Sequence, residues 1–184
     1  MSYGSFLYQK IHYDLSHLDP KILTFSVAAH KELPARQFKV LIEYSDHCFT
    51  EDEKPGHDLA LYYATEFHGG KPFRRMFELK RWQLSSQLPS IIEGLLKPDR
   101  WVYFTNGKNF HIFESTTSSG DQVKYLIYFV VKRREQGLRL VIESAYPYDP
   151  SLGGTPPKID IRVRFSTILR NIFDGKPLRK PSKR

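Results

Sequence analysis

The sequence predicts an α+β fold, in which a helix packs on a four-stranded antiparallel meander and an additional N-terminal strand cluster precedes them. Apolar residues at helical spacing between residues 85 and 97 indicate the helix, and two turn signals between strand-like runs indicate the meander. The chain has 184 residues, 40% of them hydrophobic and 26% charged, which is typical of a single globular domain. We divide it into the strand cluster (1–83), the helix and meander core (84–173) and a basic tail (174–184), which we expect to be frayed.

The strand cluster begins with a mixed segment in which Asp19-Pro20 resembles a helix start, and we expect a short helix from Pro20 to Ala29. Residues 37–49 alternate loosely between apolar and polar side chains and predict a strand. Two apolar runs, 59–67 and 73–79, flank His68-Gly69-Gly70-Lys71, where paired glycines tolerate a positive φ. These runs predict a hairpin.

The helix of the core has clear start and stop signals. Ser85 or Ser86 can cap it, Pro89 is tolerated in its first turn, and Pro98 ends it. Its apolar residues are Leu88, Ile91, Ile92, Leu95 and Leu96. Because they share one face, that face must be buried against a sheet.

The meander follows the helix as two hairpins joined by a polar loop at 116–121. Asn106-Gly107 is a strong signal for a two-residue turn, and a second turn ends at Gly137. Residues 161–173 then predict a closing strand and helix. The four predicted strands are residues 101–104, 108–114, 124–133 and 138–146.

The positive charge is concentrated in the last third of the chain. Residues 1–123 hold 14 basic and 15 acidic side chains, whereas residues 124–184 hold 14 basic and 5 acidic ones. Such an excess attracts polyanions through counterion release, so we expect a nucleic-acid partner, RNA rather than DNA. The alternative is a solubilising face with a basic tail. The candidate nucleic-acid-binding residues are Arg81, Lys132, Arg133, Arg139, Arg162 and Arg164.

Several classes of function find no support in the sequence. It contains no phosphate-binding glycine loop, no dinucleotide fingerprint and no serine-hydrolase elbow, so we expect no cofactor. Its seven histidines have no zinc-type spacing, and we expect no metal. No apolar run approaches the length of a membrane span, the N-terminus lacks a secretory pattern, and a single cysteine excludes an intrachain disulfide. We therefore expect a cytoplasmic protein without a membrane partner.

Ser144 and Tyr146 are candidate catalytic residues in the second hairpin. If Gln136-Gly137 forms a two-residue loop, Ser144 lies opposite Phe129, and Ser144 and Tyr146 continue the face of Leu138, Leu140 and Ile142. A hydroxyl and a phenol two residues apart can position or protonate a phosphate. The alternative is that Tyr146 packs in the core, as aromatic strand residues usually do.

Two histidines are candidates for a general acid or base. In the first hairpin, a turn at Asn106-Gly107 puts His111 opposite Val102. His47 lies in Asp46-His47-Cys48, and a strand conformation would point neighbouring side chains to opposite faces and prevent convergence. Alternatively, both histidines have structural roles.

Residues 84–173, with their order of helix, two hairpins and closing strand-helix, resemble the barnase–EndoU–colicin–RelE class of small ribonuclease toxins. The stretch Glu143-Ser144-Ala145-Tyr146-Pro147 is similar to the hydroxyl-x-tyrosine pair that some members use. The blocks Arg81-Trp82-Gln83-Leu84-Ser85 and Gly175-Lys176-Pro177 also resemble an uncharacterised bacterial family of mobile elements.

The resemblance implies metal-independent RNA cleavage. A histidine, His47 or His111, would act as base or acid, and Tyr146 would carry the other proton or bind phosphate. Two alternatives stay open at this point: a non-catalytic nucleic-acid-binding accessory protein, and a protein-interaction module whose basic face contacts an acidic partner.

Overall fold

The computed structural model describes residues 2–29, 32–97, 100–105, 110–118, 121–149 and 161–178; the side chains of residues 96, 110–118, 121 and 122 lie outside the description. The strands in chain order are β1 (Ser5–Tyr8), β2 (Ile11–Asp14), β3 (Lys21–Val27), β4 (Arg36–Tyr44), β5 (Thr50–Asp52), β6 (Tyr62–His68), β7 (Lys71–Phe77), β8 (Trp101–Phe104), β9 (Phe110–Ser118), β10 (Asp121–Arg134), β11 (Gly137–Pro147) and β12 (Arg162–Arg164). The α-helices are α1 (Leu79–Ser85), α2 (Leu88–Glu93) and α3 (Phe165–Phe173).

The largest sheet has seven strands in the order β12-β8-β9-β10-β11-β4-β3. The predicted meander, β8 to β11, forms its centre with every pairing antiparallel. The fold class α+β is thus retained, but the expectation of a four-stranded antiparallel sheet is wrong. β4 pairs in parallel with β11 and β3 pairs with β4, so two strands from the N-terminal 83 residues make this sheet larger and mixed. The other N-terminal strands form two smaller sheets, β1-β2 and β5-β7-β6.

The expectation of a helix from Pro20 to Ala29 is wrong, because Lys21–Val27 is strand β3. Phe25 is buried, Leu23 and Val27 are half-buried, and the residues between them are exposed. This alternation has a period of two, which a strand at a sheet edge satisfies and a helix does not.

Several predicted elements are confirmed. The strand predicted over 37–49 is β4, although it ends earlier, at Tyr44, and the hairpin around Gly69-Gly70 is β6-β7. The predicted apolar helix is α2, which continues as a 3₁₀ turn over Gly94–Leu96 and buries Leu88, Ile92 and Leu95. It is preceded by a separate short helix, α1, that the capping signal at Ser85 does not indicate. Strands β9 and β10 also extend through residues predicted as a polar loop, to Ser118 and from Asp121.

The core lies between the large sheet and the helices. Phe165, at the start of α3, packs against Phe25 of β3 and Phe129 of β10, with ring centroids 5.6 and 6.1 Å apart. Ile168 and Leu169 of the same helix are also buried. Burial of this apolar face stabilises α3, because a helix of nine residues is marginal in isolation.

The second hairpin has a different register from the predicted one. Arg134 pairs with Gly137, so the turn is Glu135-Gln136 rather than Gln136-Gly137. Tyr128 pairs with Ser144 and Phe129 with Ile142, which leaves Glu143 as the extra residue of a β-bulge. The predicted pairing of Ser144 with Phe129 is therefore wrong.

The bulge reverses the alternation of β11. Leu138, Leu140 and Ile142 are buried on the core side, and beyond the bulge it is Ala145 that is buried there. Ser144 and Tyr146 consequently share a face with each other but not with the three apolar residues before them, contrary to the expectation.

Candidate functional site

The candidate site is built where β4 ends beside the bulge of β11. Ser45, the first residue after β4, donates from its backbone N–H to the Ile142 carbonyl at 2.9 Å and from Oγ to the Glu143 carbonyl at 2.7 Å. The same Oγ accepts the N–H of His47 at 3.2 Å. Ser45 therefore ties the bulge to the segment that follows β4, and it caps a 3₁₀ turn there.

Asp46–Cys48 is a 3₁₀ turn rather than part of a strand, and its three side chains do not all converge, because only Asp46 and His47 meet at Glu66. Cys48 points inward and is fully buried, and burial raises the pKa of its thiol well above the ordinary value. His47 Nε2 lies 3.0 Å from both carboxylate oxygens of Glu66 on β6. Donor atoms of Asp46, His47 and Glu66 all lie within 4.8 Å of one another.

Asp46, His47 and Glu66 form the group of described residues best suited to hold a divalent metal. Two carboxylates and one imidazole are a donor set that suits several such metals. Burial and the neighbouring Glu66 carboxylate raise the pKa of Asp46. The imidazole of His47 already lies within hydrogen-bonding distance of the Glu66 carboxylate, however, so this arrangement also stands without a metal.

Arg81 is the cationic centre of the site. It lies in the first turn of α1, whose N-terminus is capped by the Glu78 carboxylate accepting the N–H groups of Lys80 and Arg81. Its Nη1 donates to the carbonyl of His47 at 3.2 Å and to that of Thr50 at 2.7 Å. Burial lowers the pKa of Arg81, and the nearby Glu51 and Glu78 carboxylates oppose that change.

Tyr146 completes the site from the bulged strand. The guanidinium carbon of Arg81 lies 5.3 Å from the centroid of its ring, a cation–π distance. The ring also stacks on Tyr128 of β10, with centroids 6.1 Å apart. Burial, together with a hydrogen bond to Tyr146, raises the pKa of Tyr128 to about 12, so Tyr128 keeps its hydroxyl proton at neutral pH. Tyr146 is only half-buried, which argues against a purely core role.

His111 is placed by its backbone alone, since its side chain lies outside the described structure. It pairs with Tyr103 of β8 and with Tyr128 of β10, so the predicted pairing with Val102 is wrong. Since Phe104 pairs with Phe110, the connection between β8 and β9 is longer than the predicted two-residue turn. The predicted turn at Asn106-Gly107 itself lies outside the described residues. Because Tyr128 pairs in turn with Ser144, His111 and Ser144 belong to one row across the sheet.

The other predicted nucleic-acid-binding residues lie on different elements from Arg81. Lys132 and Arg139 are cross-strand partners in the hairpin, and Arg139 forms an ion pair with Glu43. Arg133 is exposed beside them. Arg162 and Arg164 lie on β12 at the sheet edge, with guanidinium carbons 4.6 and 5.3 Å from the ring centroid of Trp101. In the basic tail, residues 179–184 lie outside the description.

Sequence reasoning missed Ser45, Glu66, Thr50 and Tyr128. Ser45 before Asp46-His47 does carry a local signal, because serine is a preferred N-cap. The other three residues come to the site only through pairing between distant segments. Trp82, next to Arg81 on α1, packs on Tyr13 with centroids 5.0 Å apart and donates from Nε1 to the Asp14 carbonyl.

These features define an α+β protein with a mixed seven-stranded sheet in which, beside a bulge, Arg81 contacts the Tyr146 ring and the His47 carbonyl. The chain belongs to the YjaZ family, whose sequence model matches residues 5–173. It is 28% identical over 178 residues to Protein YjaZ of Escherichia coli (strain K12), an alignment that covers 92% of this chain and 89% of that protein. No solved structure matches.

The family match spans both the N-terminal strands and the predicted core, whereas the resemblance to ribonuclease toxins concerns residues 84–173 alone. Membership in the YjaZ family does not support that resemblance, which stays a prediction. In the described ranges, none of the helices has the length and apolar character needed to cross a membrane.

Proposed function

We propose that the chain is a cytoplasmic RNA-binding protein that cleaves RNA without a metal, at the site formed by Arg81, Tyr146 and a histidine. The observation that carries the proposal is the contact of one guanidinium with both the Tyr146 ring and the His47 carbonyl. This contact brings a cation and a phenol next to the backbone of His47, and a cation and a phenol are groups that assist phosphodiester cleavage.

Arg81 supplies the charge for the phosphate in this proposal. Two carbonyls hold its Nη1, while no hydrogen bond within the described part of the chain involves its Nε or Nη2. Those two nitrogens form the edge of the guanidinium that binds an oxyanion in a bidentate manner. The position of Arg81 is fixed by its carbonyl partners before substrate arrives, so little reorganisation accompanies binding.

His47 is the proposed base, with Glu66 as the group that orients it. The base takes the proton of the ribose 2′-hydroxyl, and that oxygen bonds to the adjacent phosphorus as the bond to the 5′-oxygen breaks. Tyr146 protonates the departing 5′-oxygen, so the products are a 2′,3′-cyclic phosphate and a 5′-hydroxyl. The Glu66 carboxylate at 3.0 Å would stabilise the imidazolium that forms. His111, in the same sheet row as Ser144, is the second candidate for the base.

Incubation of the purified chain with total RNA in EDTA tests this function. We expect cleavage that ends in cyclic phosphate, and a decrease of about 10²-fold or more in Tyr146→Phe, since a positioned proton carrier contributes that much. Tyr148→Phe, two residues further on, is the matched control and should keep full activity. His47→Gln and His111→Gln identify the base, and circular dichroism verifies that each variant is folded.

Three results would contradict the proposal. The first is intact RNA with the wild-type chain. The second is full activity in Tyr146→Phe. The third is cleavage that appears only with Mn²⁺ or Zn²⁺ and disappears in Asp46→Asn, which would assign the chemistry to the Asp46, His47 and Glu66 cluster instead.

A non-catalytic nucleic-acid-binding role is the second candidate, supported by the sheet edge at β12. Trp101 is 36% exposed and carries the guanidinium groups of Arg162 and Arg164 over its ring. Arginines and an aromatic ring in contact are a common platform for a single strand. This role predicts binding that weakens steeply with salt, and no turnover in the assay above.

A further inference from the structure

Two carboxylates and one imidazole meet at a single position between the turn after β4 and strand β6. Asp46 and His47 belong to the capped 3₁₀ turn, and Glu66 lies on β6. One donor atom of each residue lies within 4.8 Å of the other two. All three side chains are half-buried, so water screens their charges only in part.

The Asp46 carboxylate has no cationic partner of its own in the described part of the chain. It forms no ion pair with a described residue and accepts no hydrogen bond from one. The Arg75 guanidinium attracts it electrostatically but is bound to residues of β5. Burial and the adjacent Glu66 carboxylate raise the pKa of Asp46, as expected for two like charges held close together. Because a charge that leaves water is normally paired or coordinates a metal, this cluster favours a cation.

The spacing of the donor atoms suits a metal ion. Zn²⁺ binds nitrogen and oxygen at about 2.0–2.2 Å, which puts neighbouring ligand atoms roughly 3.0–3.5 Å apart. The 3.0 Å between His47 Nε2 and the Glu66 oxygens falls in this range. Only the Asp46 side chain has to move closer, and its turn is held in place, since the Asp46 carbonyl accepts the Phe49 N–H at 3.0 Å and Thr50 Oγ1 at 2.9 Å.

A second histidine–carboxylate pair differs from this cluster in its charge balance. His57 Nε2 lies 3.2 Å from Glu51 Oε1, but the other Glu51 oxygen binds the Lys54 ammonium at 2.5 Å. No third metal donor joins this pair within the described ranges. The His57 pair is therefore an internal control, in which an imidazole contacts a carboxylate without an excess of negative charge.

We propose that Asp46, His47 and Glu66 together bind a divalent late transition metal such as Zn²⁺. An imidazole ligand favours Zn²⁺ over Mg²⁺ and Ca²⁺, which prefer oxygen donors. The bound ion neutralises the two carboxylates and so removes their mutual repulsion. His68 is the fourth donor within reach, because its side chain is exposed and its Nε2 lies 3.5 Å from Glu66 Oε2.

The metal has one consequence for RNA cleavage, and this consequence rests on the proposed function. A neutral imidazole has a single nitrogen lone pair, which a metal at Nε2 uses. His47 then has no position left to accept the proton of the ribose 2′-hydroxyl. The metal-loaded chain should therefore cleave RNA more slowly than the chain in EDTA.

Isothermal titration of the full chain with ZnCl₂, after dialysis against EDTA and then buffer, tests the site. We expect one Zn²⁺ per chain, and binding of MgCl₂ at least about tenfold weaker. Asp46→Asn and Glu66→Gln should each lower the affinity for Zn²⁺ by about tenfold or more, since each removes a charged ligand. His57→Gln should bind as the wild type does, and circular dichroism verifies that each variant is folded.

The proposal fails if Zn²⁺ does not bind, or if Asp46→Asn binds it as tightly as the wild type does. It also fails if His57→Gln loses as much affinity as Asp46→Asn, which would indicate scattered binding to surface histidines. Cleavage that bound Zn²⁺ does not slow would exclude His47 as both ligand and base. Intact RNA in EDTA, together with a Zn²⁺ affinity that depends on Asp46, would refute the proposed function and support the metal site.

Discussion

Substitution of Gly137 by alanine gives the sharpest test of the way β11 joins β4. Gly137 has a φ of +104°, and a Cβ built on it would lie 2.3 Å from the backbone carbonyl oxygen of Lys39 on β4. The obstacle is backbone in a paired strand, so no side-chain rotation can relieve it. Alanine must therefore both accept a positive φ and push two strands apart.

The two costs can be worked out separately. An L residue at positive φ costs about 1–2 kcal/mol, and overpacking of a well-packed contact costs about 1–3 kcal/mol. Together they predict a loss of about 2–5 kcal/mol in the free energy of unfolding. For a domain of this length a loss of about 3 kcal/mol lowers Tm by roughly 6–12 °C.

Two other glycines provide matched controls. Gly70 also has a positive φ, +78°, but its Cβ would meet nothing within 4 Å, so Gly70→Ala should show only the conformational cost. Gly94 adopts a helical φ of −62° with no atom within 4 Å, and Gly94→Ala should be neutral or stabilise by up to about 1 kcal/mol.

Urea denaturation of the three variants, followed by circular dichroism, measures the differences. We expect Gly137→Ala to be the least stable, followed by Gly70→Ala and then Gly94→Ala. If Gly137→Ala were no less stable than Gly70→Ala, the contact with Lys39 would not exist in solution, and the parallel pairing of β4 with β11 would have to be reconsidered.

Two further predictions concern the core and a half-buried histidine. Phe165 is 1% exposed, so Phe165→Ala should lower the free energy of unfolding by about 3–5 kcal/mol. Phe67 is 69% exposed, and Phe67→Ala should lower it by less than about 1 kcal/mol. Equal losses of the two variants in denaturation would contradict the packing of α3. Burial lowers the pKa of His17, whose Nε2 lies 2.7 Å from Ser85 Oγ, below its ordinary value of 6.5. Protonation therefore favours the unfolded chain, and the stability that His17 contributes above pH 6.5 is lost as pH falls toward its folded-state pKa. The unfolding free energy of the wild type should decrease between about pH 7.5 and about pH 5.5, and that of His17→Gln should decrease less. Equal decreases in the two proteins would exclude His17 as the cause of the pH dependence.

Features that depend on neighbouring residues could be predicted from the sequence. The helical spacing of Leu88, Ile92 and Leu95 indicated α2, and the glycine pair at Gly69-Gly70 indicated the β6-β7 hairpin. The signals succeed because turn conformation and amphipathic spacing are set within a few residues of the chain. The excess of positive charge after residue 123 is likewise a property of the sequence alone.

The candidate site could be predicted only in part. Residue type indicated each of Tyr146, Arg81 and His47 as a candidate. It did not indicate that Arg81 contacts both the Tyr146 ring and the His47 carbonyl. Glu66 was not indicated at all, since it approaches His47 from β6, 19 residues further along the chain.

The sequence by itself determined the α+β character, most of the hairpins and the identity of the polar residues that the proposed function uses. Only the tertiary structure decided that β4 joins β11 in parallel, that Glu143 forms a bulge, and that Ser45 binds the carbonyls of Ile142 and Glu143. The physical reason is that a bulge and a parallel pairing are stabilised by hydrogen bonds and burial between segments about 100 residues apart, which no local pattern encodes. A shift of one residue at Glu143 then changes which face of the sheet carries Tyr146.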